Sequence, residues 1–207
     1  MGYLSAAWFA AVDVKRFPIG QRLCRSLCGR WLLLAFALLI GALPSGGRAA
    51  TEIEVASESR VKAAFVYKFA EYVEWPDGRF DSIDEPFTIG IIGDDAVLRD
   101  LQAMVAGRAV GGRPLAVRRL EPAESIHAVQ LIFVGRGSRA ALARVAADRG
   151  VPVLVVSEFQ GALNEGAAIN FIVSGTRLRF EVSIDNAEMR GLKLGSRLLS
   201  VAANTRR

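Results

Sequence analysis

The sequence predicts a single α/β domain, built on a mostly parallel sheet that is flanked by helices. Two observations support this fold class. Short apolar runs alternate along the chain with segments whose apolar residues recur at helical spacing. Several runs are also apolar throughout, such as VPVLVVS at 151–157, which is typical of parallel strands buried on both faces. The length of 207 residues leaves room for one such domain and a leader.

Composition and charge narrow the classes of function. Apolar residues make up 52% of the chain and charged residues 23%, which excludes a disordered, collagen-like or disulfide-knot protein. The formal net charge of +5 comes from the first 49 residues, which contain six basic side chains and one acidic one. The remainder contains twenty of each and is neutral overall. We therefore expect neither nucleic acid nor an anionic membrane as the partner of the folded part.

The first 49 residues have the order of an export signal. Three arginines between residues 22 and 30 precede an apolar run at 31–43, and a small-residue site follows. This run is shorter than the roughly 20 residues that span a bilayer. Cleavage is expected after Ala49 or Ala50, and the alternative is an uncleaved anchor. The predicted segments are a signal peptide at 1–49, a short extension at 50–58 and the α/β domain at 59–207.

The cysteines exclude several kinds of chemistry. Cys24 and Cys28 both precede the apolar run and are expected to leave with the leader. The mature chain would then contain no cysteine, which excludes thiol catalysis, thiolate metal sites and disulfides. With His127 as the single histidine, we expect no zinc or haem site and no catalytic role for an isolated imidazole.

The first two predicted helices lie between residues 59 and 106. Residues 59–75 carry apolar side chains at helical spacing and stop before Pro76. Residues 94–106 follow an apolar strand and begin with Asp94 or Asp95 as the N-cap. The predicted apolar faces comprise Val61, Ala64, Phe65, Phe69, Tyr72 and Val73 in the first helix, and Val97, Leu98, Leu101, Met104 and Val105 in the second.

The later helices are shorter. Residues 138–148 are rich in alanine and have Ser138 as the predicted N-cap. Asp185 is predicted to cap a short helix that ends at Arg190, and residues 195–203 form the closing helix.

The strands complete a sheet that is Rossmann- or flavodoxin-like, with a C-terminal hairpin and helix. Residues 174–176 (Ser-Gly-Thr) separate the last two runs and predict the hairpin turn. A parallel sheet of this kind offers a crevice at the carboxyl ends of its strands, here near 93–94 and 135–136. The predicted strands cover 86–93, 113–120, 129–134, 151–157, 168–173 and 177–184.

Two local motifs admit a chemical and a structural interpretation. GRGSRA at 135–140 follows a strand and opens a helix, as a dinucleotide fingerprint does, with Glu158 near the position of a ribose-binding acid. The structural interpretation is a turn with a capped helix. The pair Asp94-Asp95 at the end of a strand is typical of a Mg²⁺ site, or of helix capping. The sequence favours the structural interpretation in both cases.

Arg177 and Arg179 form the third motif. Strand alternation places both guanidinium groups on one face and Leu178 and Phe180 on the other. On an edge strand, such charges block pairing with another sheet. The functional interpretation is a docking face for an anion or an acidic partner.

Four segments in a fixed order resemble the YfiR family of small exported bacterial proteins. They are VKAAFVYKFAEYVEWP, GRAVGGRPLAVRR, VPVLVVSEFQGAL and RLRFEVSIDNAEMRGLKLGSRLLSVA, and together they span about residues 60–203. Trp75 and Pro76 match the family's helix-ending motif and are expected in the core. Arg177 and Arg179 match a basic strand near the family's proposed ligand and partner surface, and they are our candidate partner- or ligand-binding residues.

The resemblance implies a periplasmic repressor and not an enzyme, with no catalytic residue, cofactor or metal. Family members bind the periplasmic part of an inner-membrane diguanylate cyclase and hold it inactive, so release raises cyclic di-GMP and favours biofilm. An outer-membrane lipoprotein that sequesters the repressor, and a homodimer, are further implied partners. Relatives use cysteines in the mature domain for redox control. Ile126 stands where a relative often has Cys, so we expect no such control here.

A second hypothesis stays open from the residues alone. The crevice of the parallel sheet would suit a small molecule, and the protein would then be a periplasmic sensor module that serves a kinase or a transporter.

Overall fold

The structure is a computed structural model that describes residues 47–175 and 177–207, with side chains from residue 58 onward. The chain divides into two units, Met1–Ala50 and Thr51–Arg207. The predicted leader up to residue 46 and Thr176 of the hairpin turn lie outside the described residues.

Five α-helices and one 3₁₀-helix occur in the described residues, and the second longest agrees closely with the predicted segment at 94–106. None of these helices is both long and apolar enough to cross a membrane. Their bounds are α1 Gly47–Tyr72, α2 Asp95–Val105, α3 Arg139–Ala147, the 3₁₀-helix Ala162–Glu165, α4 Ile184–Glu188 and α5 Ser196–Val201.

The same residues form ten strands. All six predicted strands are present, with bounds that differ by a few residues at most, and four strands of two or three residues are additional. The bounds are β1 Val73–Glu74, β2 Phe87–Ile92, β3 Ala109–Val110, β4 Arg113–Arg119, β5 Leu131–Val134, β6 Leu154–Ser157, β7 Ile169–Ser174, β8 Arg177–Ser183, β9 Lys193–Leu194 and β10 Asn204–Arg206.

Eight strands form one mixed sheet in the order β10-β8-β7-β6-β5-β2-β4-β3. The five central strands, from β4 to β7 in that order, are parallel. Taken in chain order they are arranged 2-1-3-4-5, which is the flavodoxin-like order. Strand β8 turns back against β7 through the predicted hairpin, and β10 pairs in parallel with β8. The predicted α/β fold class is therefore confirmed.

Helices cover the sheet on both faces. On one face, α1 contributes Phe65 and Phe69 to an aromatic cluster with Phe171 and Phe180, where the Phe69 and Phe180 ring centroids are 4.9 Å apart. On the other face, α3 and the 3₁₀-helix bury a second cluster of mainly Val, Ile, Leu and Ala side chains. The aromatic cluster fixes α1 across the middle of the hairpin strands β7 and β8.

The first predicted helix is wrong in two respects. It ends at Tyr72, whose carbonyl accepts the N–H of Gly195 at 2.9 Å, and Val73 and Glu74 pair with β9 instead. Of the predicted apolar face, Val61, Ala64, Phe65 and Tyr72 are only half-buried. The buried residues of the helix are Ser59, Lys62, Ala63, Val66, Tyr67, Phe69 and Ala70. Tertiary pairing thus overrides a helical pattern that continues to Trp75 in the sequence.

The predicted caps are partly correct. Asp94 accepts the N–H groups of Ala96 and Val97 at 3.1 and 3.0 Å, as an N-cap does. Ser138 occupies the N-cap of α3 without a side-chain bond to it. The predicted cap at Asp185 is wrong, because α4 begins one residue earlier and Ser183 caps it.

Arg190 joins α3 to the C-terminal segment. This side chain is buried and donates to the carbonyl oxygens of Val145, Asp148 and Val151 at 2.6, 2.9 and 3.1 Å. Burial lowers the pKa of Arg190 below its ordinary value, although the nearby Asp148 carboxylate opposes that shift. The guanidinium therefore replaces the water that the last carbonyls of α3 would otherwise bind.

Candidate functional site

A cavity of about 520 Å³ lies where β6 ends and β7 continues. The two strands pair at only two positions, because β6 ends first. The segment 158–161 therefore leaves the sheet beside the carboxyl-terminal part of β7. Helix α1 and the loop after β5 supply the other walls. The lining residues are Glu58, Lys62, Arg136, Glu158, Phe159, Gln160, Gly161, Asn170, Phe171, Ile172, Val173, Leu178 and Glu181.

A buried ion pair forms one wall of the cavity. The Nζ atom of Lys62 lies 2.5 Å from Glu158 Oε2 and 2.7 Å from Glu58 Oε1. Burial alone would lower the pKa of Lys62. The hydrogen bonds and charges of the two carboxylates outweigh that effect, so the pKa lies above the ordinary 10.5. Lys62 is therefore a cation that already has two anionic partners.

Glu158 also holds the glycine-rich turn. Its Oε1 accepts the backbone N–H of Arg136 at 3.0 Å, while the Arg136 guanidinium lies 3.9 Å from its Oε2. Gly135 packs so closely that a Cβ there would lie 2.7 Å from the carbonyl oxygen of Gly93. The backbone N–H of Arg136 in this turn is thus bound by the protein's own carboxylate, and the turn opens α3 without a side-chain cap from Ser138.

The cavity is displaced from the predicted crevice by two strands, from the ends of β2 and β5 to β6 and β7. A side chain at Gly93 would collide with Ser138 Oγ, so the space between the ends of β2 and β5 is filled. Arg136 does line the cavity, but Gly93, Asp94 and Gly135 do not. The open space lies instead beside β6 and β7.

Asn170 and Glu181 form the opposite wall. They are direct cross-strand partners on β7 and β8, and Asn170 Nδ2 donates to Glu181 Oε1 at 3.0 Å. Because a carboxylate only accepts, the amide must face Glu181 with its nitrogen. Asn170 is 1% exposed, and its Oδ1 has no hydrogen-bond partner. A buried acceptor of this kind costs about 1–3 kcal/mol unless a donor reaches it.

The other acidic and histidine candidates are engaged locally. Asp94 caps α2, and Asp95 pairs with Arg119 at 2.5 Å. His127 is exposed, and its Nδ1 lies 3.0 Å from Ser125 Oγ. Within the part of the chain that the structure describes, no three His, Cys, Asp or Glu side chains converge as metal ligands.

Arg177 and Arg179 lie at the start of β8 and are both exposed, whereas Leu178 is half-buried and Phe180 is buried. The alternation expected from the sequence is therefore observed. Neither arginine lines the cavity, but Leu178 between them does, as does the neighbouring Val173, which is 64% exposed. The two arginines and the cavity thus occupy adjacent parts of one hairpin.

Sequence reasoning missed Lys62, Asn170 and Glu181. A signal for Lys62 is present, because Ser59, Lys62, Val66 and Phe69 follow one another at helical intervals and Glu58 precedes Lys62 by one turn. No local pattern marks Asn170 and Glu181, which meet only through the strand register.

The fold and the site define a small α/β domain with a cavity lined by charged and apolar side chains beside an exposed basic hairpin. Residues 59–203 match the YfiR/HmsC-like family model, which covers more than half of the chain, and the protein belongs to this family. Members of the family are regulators and not enzymes, and the family acts with membrane diguanylate cyclases. A search of curated proteins finds no match to the chain.

Proposed function

We propose that the protein is a periplasmic, non-enzymatic repressor, which binds the periplasmic part of an inner-membrane diguanylate cyclase and lowers the synthesis of cyclic di-GMP. The family match over residues 59–203 is the observation that carries the proposal. The leader-like first 49 residues support export. A lipoprotein of the outer membrane that competes for the repressor would relieve the inhibition by mass action.

The start of β8 is the proposed docking surface. Strand β10 pairs with β8 only from Glu181 to Ser183, and the N–H of Ala203 reaches the carbonyl of Phe180 at 2.8 Å. Backbone groups of alternate residues point to the same side of a strand, so Leu178 also presents its N–H and carbonyl to this edge. Two exposed arginines flank those groups and suit an acidic partner segment.

The first test measures cellular cyclic di-GMP in a deletion strain. We expect a rise that the full-length gene reverses, because loss of the repressor frees the cyclase. A gene without codons 2–49 should not reverse it if the site of action is the periplasm. An unchanged level in the deletion strain would refute the repressor function, and rescue by the leaderless gene would refute the proposed compartment.

The second test addresses the docking surface. The double variant Arg177→Glu and Arg179→Glu should fail to restore a low cyclic di-GMP level while melting at the parental temperature, because both side chains are exposed. The matched control is Arg144→Glu with Arg197→Glu, which reverses two exposed charges elsewhere. Equal repression by both double variants would remove the β8 edge from the proposal.

A second candidate function rests on the cavity. Its volume of about 520 Å³ lies within the range of small-molecule sites, roughly 300–1,000 Å³. We propose that it holds a small molecule, either as the signal of the repressor or as the ligand of a sensor that serves a kinase or a transporter. The neighbouring genes separate these roles, because a membrane protein with a cyclase domain favours repression and a kinase or permease favours sensing.

A further inference from the structure

The polar groups of the cavity include more hydrogen-bond acceptors than donors. Its walls carry three carboxylates, Glu58, Glu158 and Glu181, against two cations, Lys62 and Arg136. Lys62 is held between two of the carboxylates, and the Arg136 side chain is 68% exposed. The charge that remains inside is therefore negative.

The acceptors that lack a donor lie on the wall formed by β7 and β8. The hydrogen bond from Asn170 occupies Glu181 Oε1, and no ion pair forms with Glu181 among the described residues. Asn170 Oδ1 has no donor at all. This amide oxygen is enclosed and does not face the open space, whereas the Glu181 carboxylate lines the cavity and calls for an N–H donor.

The rest of the cavity is apolar. Phe159, Phe171, Ile172, Val173 and Leu178 supply its remaining side chains apart from Gln160 and Gly161. Phe171 is buried in the aromatic cluster, whereas Val173 lies at the exposed end of the hairpin. Ile172 lies on the same face of the hairpin as Glu181, so a bound molecule would place its apolar body against Ile172 and Phe159 and its polar group against Glu181.

We propose that the cavity binds a small organic cation, an amine whose ammonium group donates to Glu181 and whose apolar body packs against Phe159 and Ile172. This assignment rests on the second candidate function, that the cavity holds a small molecule. It specifies the charge and the chemical class of that molecule. An anion of the same shape would meet the like charge of Glu181 and would bring no donor for that carboxylate.

The test is calorimetric titration of the purified protein with matched probes. They are 2-phenylethylamine, its neutral analogue 2-phenylethanol and the anion phenylacetate, with hexylamine as an aliphatic amine. We expect both amines to bind at least about tenfold more tightly than the alcohol, which is the value of one charge-assisted hydrogen bond, and phenylacetate to bind least. If no probe binds at millimolar concentration, the second candidate function fails and this proposal with it. If the alcohol or the anion binds as tightly as the amines, the cavity holds small molecules but the proposed charge is wrong.

Two variants locate the binding. Glu181→Gln keeps an acceptor for Asn170 and should weaken binding of the amine by about tenfold or more. Glu188→Gln makes the same charge change at an exposed position outside the cavity and should leave the affinity within about twofold. Val173→Arg places a cation at the exposed end of the cavity, where the fold tolerates it, and should also weaken binding. Unchanged affinity in both Glu181→Gln and Val173→Arg would overturn the assignment.

Discussion

Replacing Lys62 with Met removes the ammonium group from the ion pairs of the cavity wall and keeps an unbranched side chain of similar length. Glu158 then stays buried, with 5% of its side chain exposed, and it loses the closest of its cationic partners. It keeps the N–H of Arg136 at 3.0 Å. Glu58, by contrast, is 37% exposed and turns to water.

These contacts set the size of the effect. Removing one partner of a buried ion pair costs about 3–5 kcal/mol, because it leaves a buried charge uncompensated. We expect the free energy of unfolding to fall by the lower value, about 3 kcal/mol, since the Arg136 N–H still satisfies one oxygen of Glu158. In a domain of this size, that loss corresponds to a fall in melting temperature of about 6–12 °C.

Urea unfolding is the suitable assay, because guanidinium is a salt and would screen the charges under study. The control is Lys68→Met on the same helix, which breaks the more exposed pair with Glu71 and should cost about 0.5 kcal/mol or less. Equal losses in the two variants would refute the reasoning. The double variant Lys62→Met with Glu158→Gln should be more stable than Lys62→Met, because no buried charge remains unpaired.

The dependence on pH follows from the raised pKa of Lys62. A group with a higher pKa in the folded state stabilises the protein below the unfolded value, which is 10.5 here, and loses that contribution as the pH rises through the folded value. The gap in stability between the parent and Lys62→Met should therefore be constant near neutral pH and narrow only above about 10.5. A gap that closes between pH 6 and 8 would contradict this origin.

Three further predictions concern other contacts and the leader. Asp94→Ala should lower the free energy of unfolding by about 1 kcal/mol through loss of the N-cap, whereas Asp95→Ala, which breaks an exposed pair, should change the melting temperature little. Arg190→Met leaves three carbonyls without their donor and should cost about 3 kcal/mol or more, with faster proteolysis of the C-terminal segment as the readout. Reductant should not change the melting temperature of the exported protein, and a clear shift would mean that the leader with Cys24 and Cys28 is retained.

The central strands could be predicted because each carries its own signal. Residues 87–92 and 154–157 are buried throughout, and continuous apolar runs mark them in the sequence. The cap at Asp94 follows equally from local chemistry. These features need no information from distant parts of the chain.

The short strands could not be predicted, because each exists only through its partner. Strand β1 has two residues and pairs with β9 more than a hundred residues later, and β10 has three residues that pair with β8. No periodicity can be read from two or three residues. The same limit applies to the wall of Asn170 and Glu181, which depends on the hairpin register.

Only part of the candidate site could be predicted from the sequence. The exposure of Arg177 and Arg179 follows from alternation, and the structure has it. The cavity does not follow, because the predicted crevice at Gly93 is filled by Ser138. Such a displacement depends on side-chain packing between two loops that the sequence does not place together.

The pairing of β1 with β9 limits how early during synthesis the domain can complete its fold. The end of α1 is held by residues 193–195, through the β1–β9 pairs and the bond from Gly195 to Tyr72. Contacts so far apart along the chain carry a large loop-closure entropy and slow folding. A growing chain therefore stays open at this seam until residues 193–195 have been added, so α1 cannot be fixed at its end before synthesis of the domain is nearly complete.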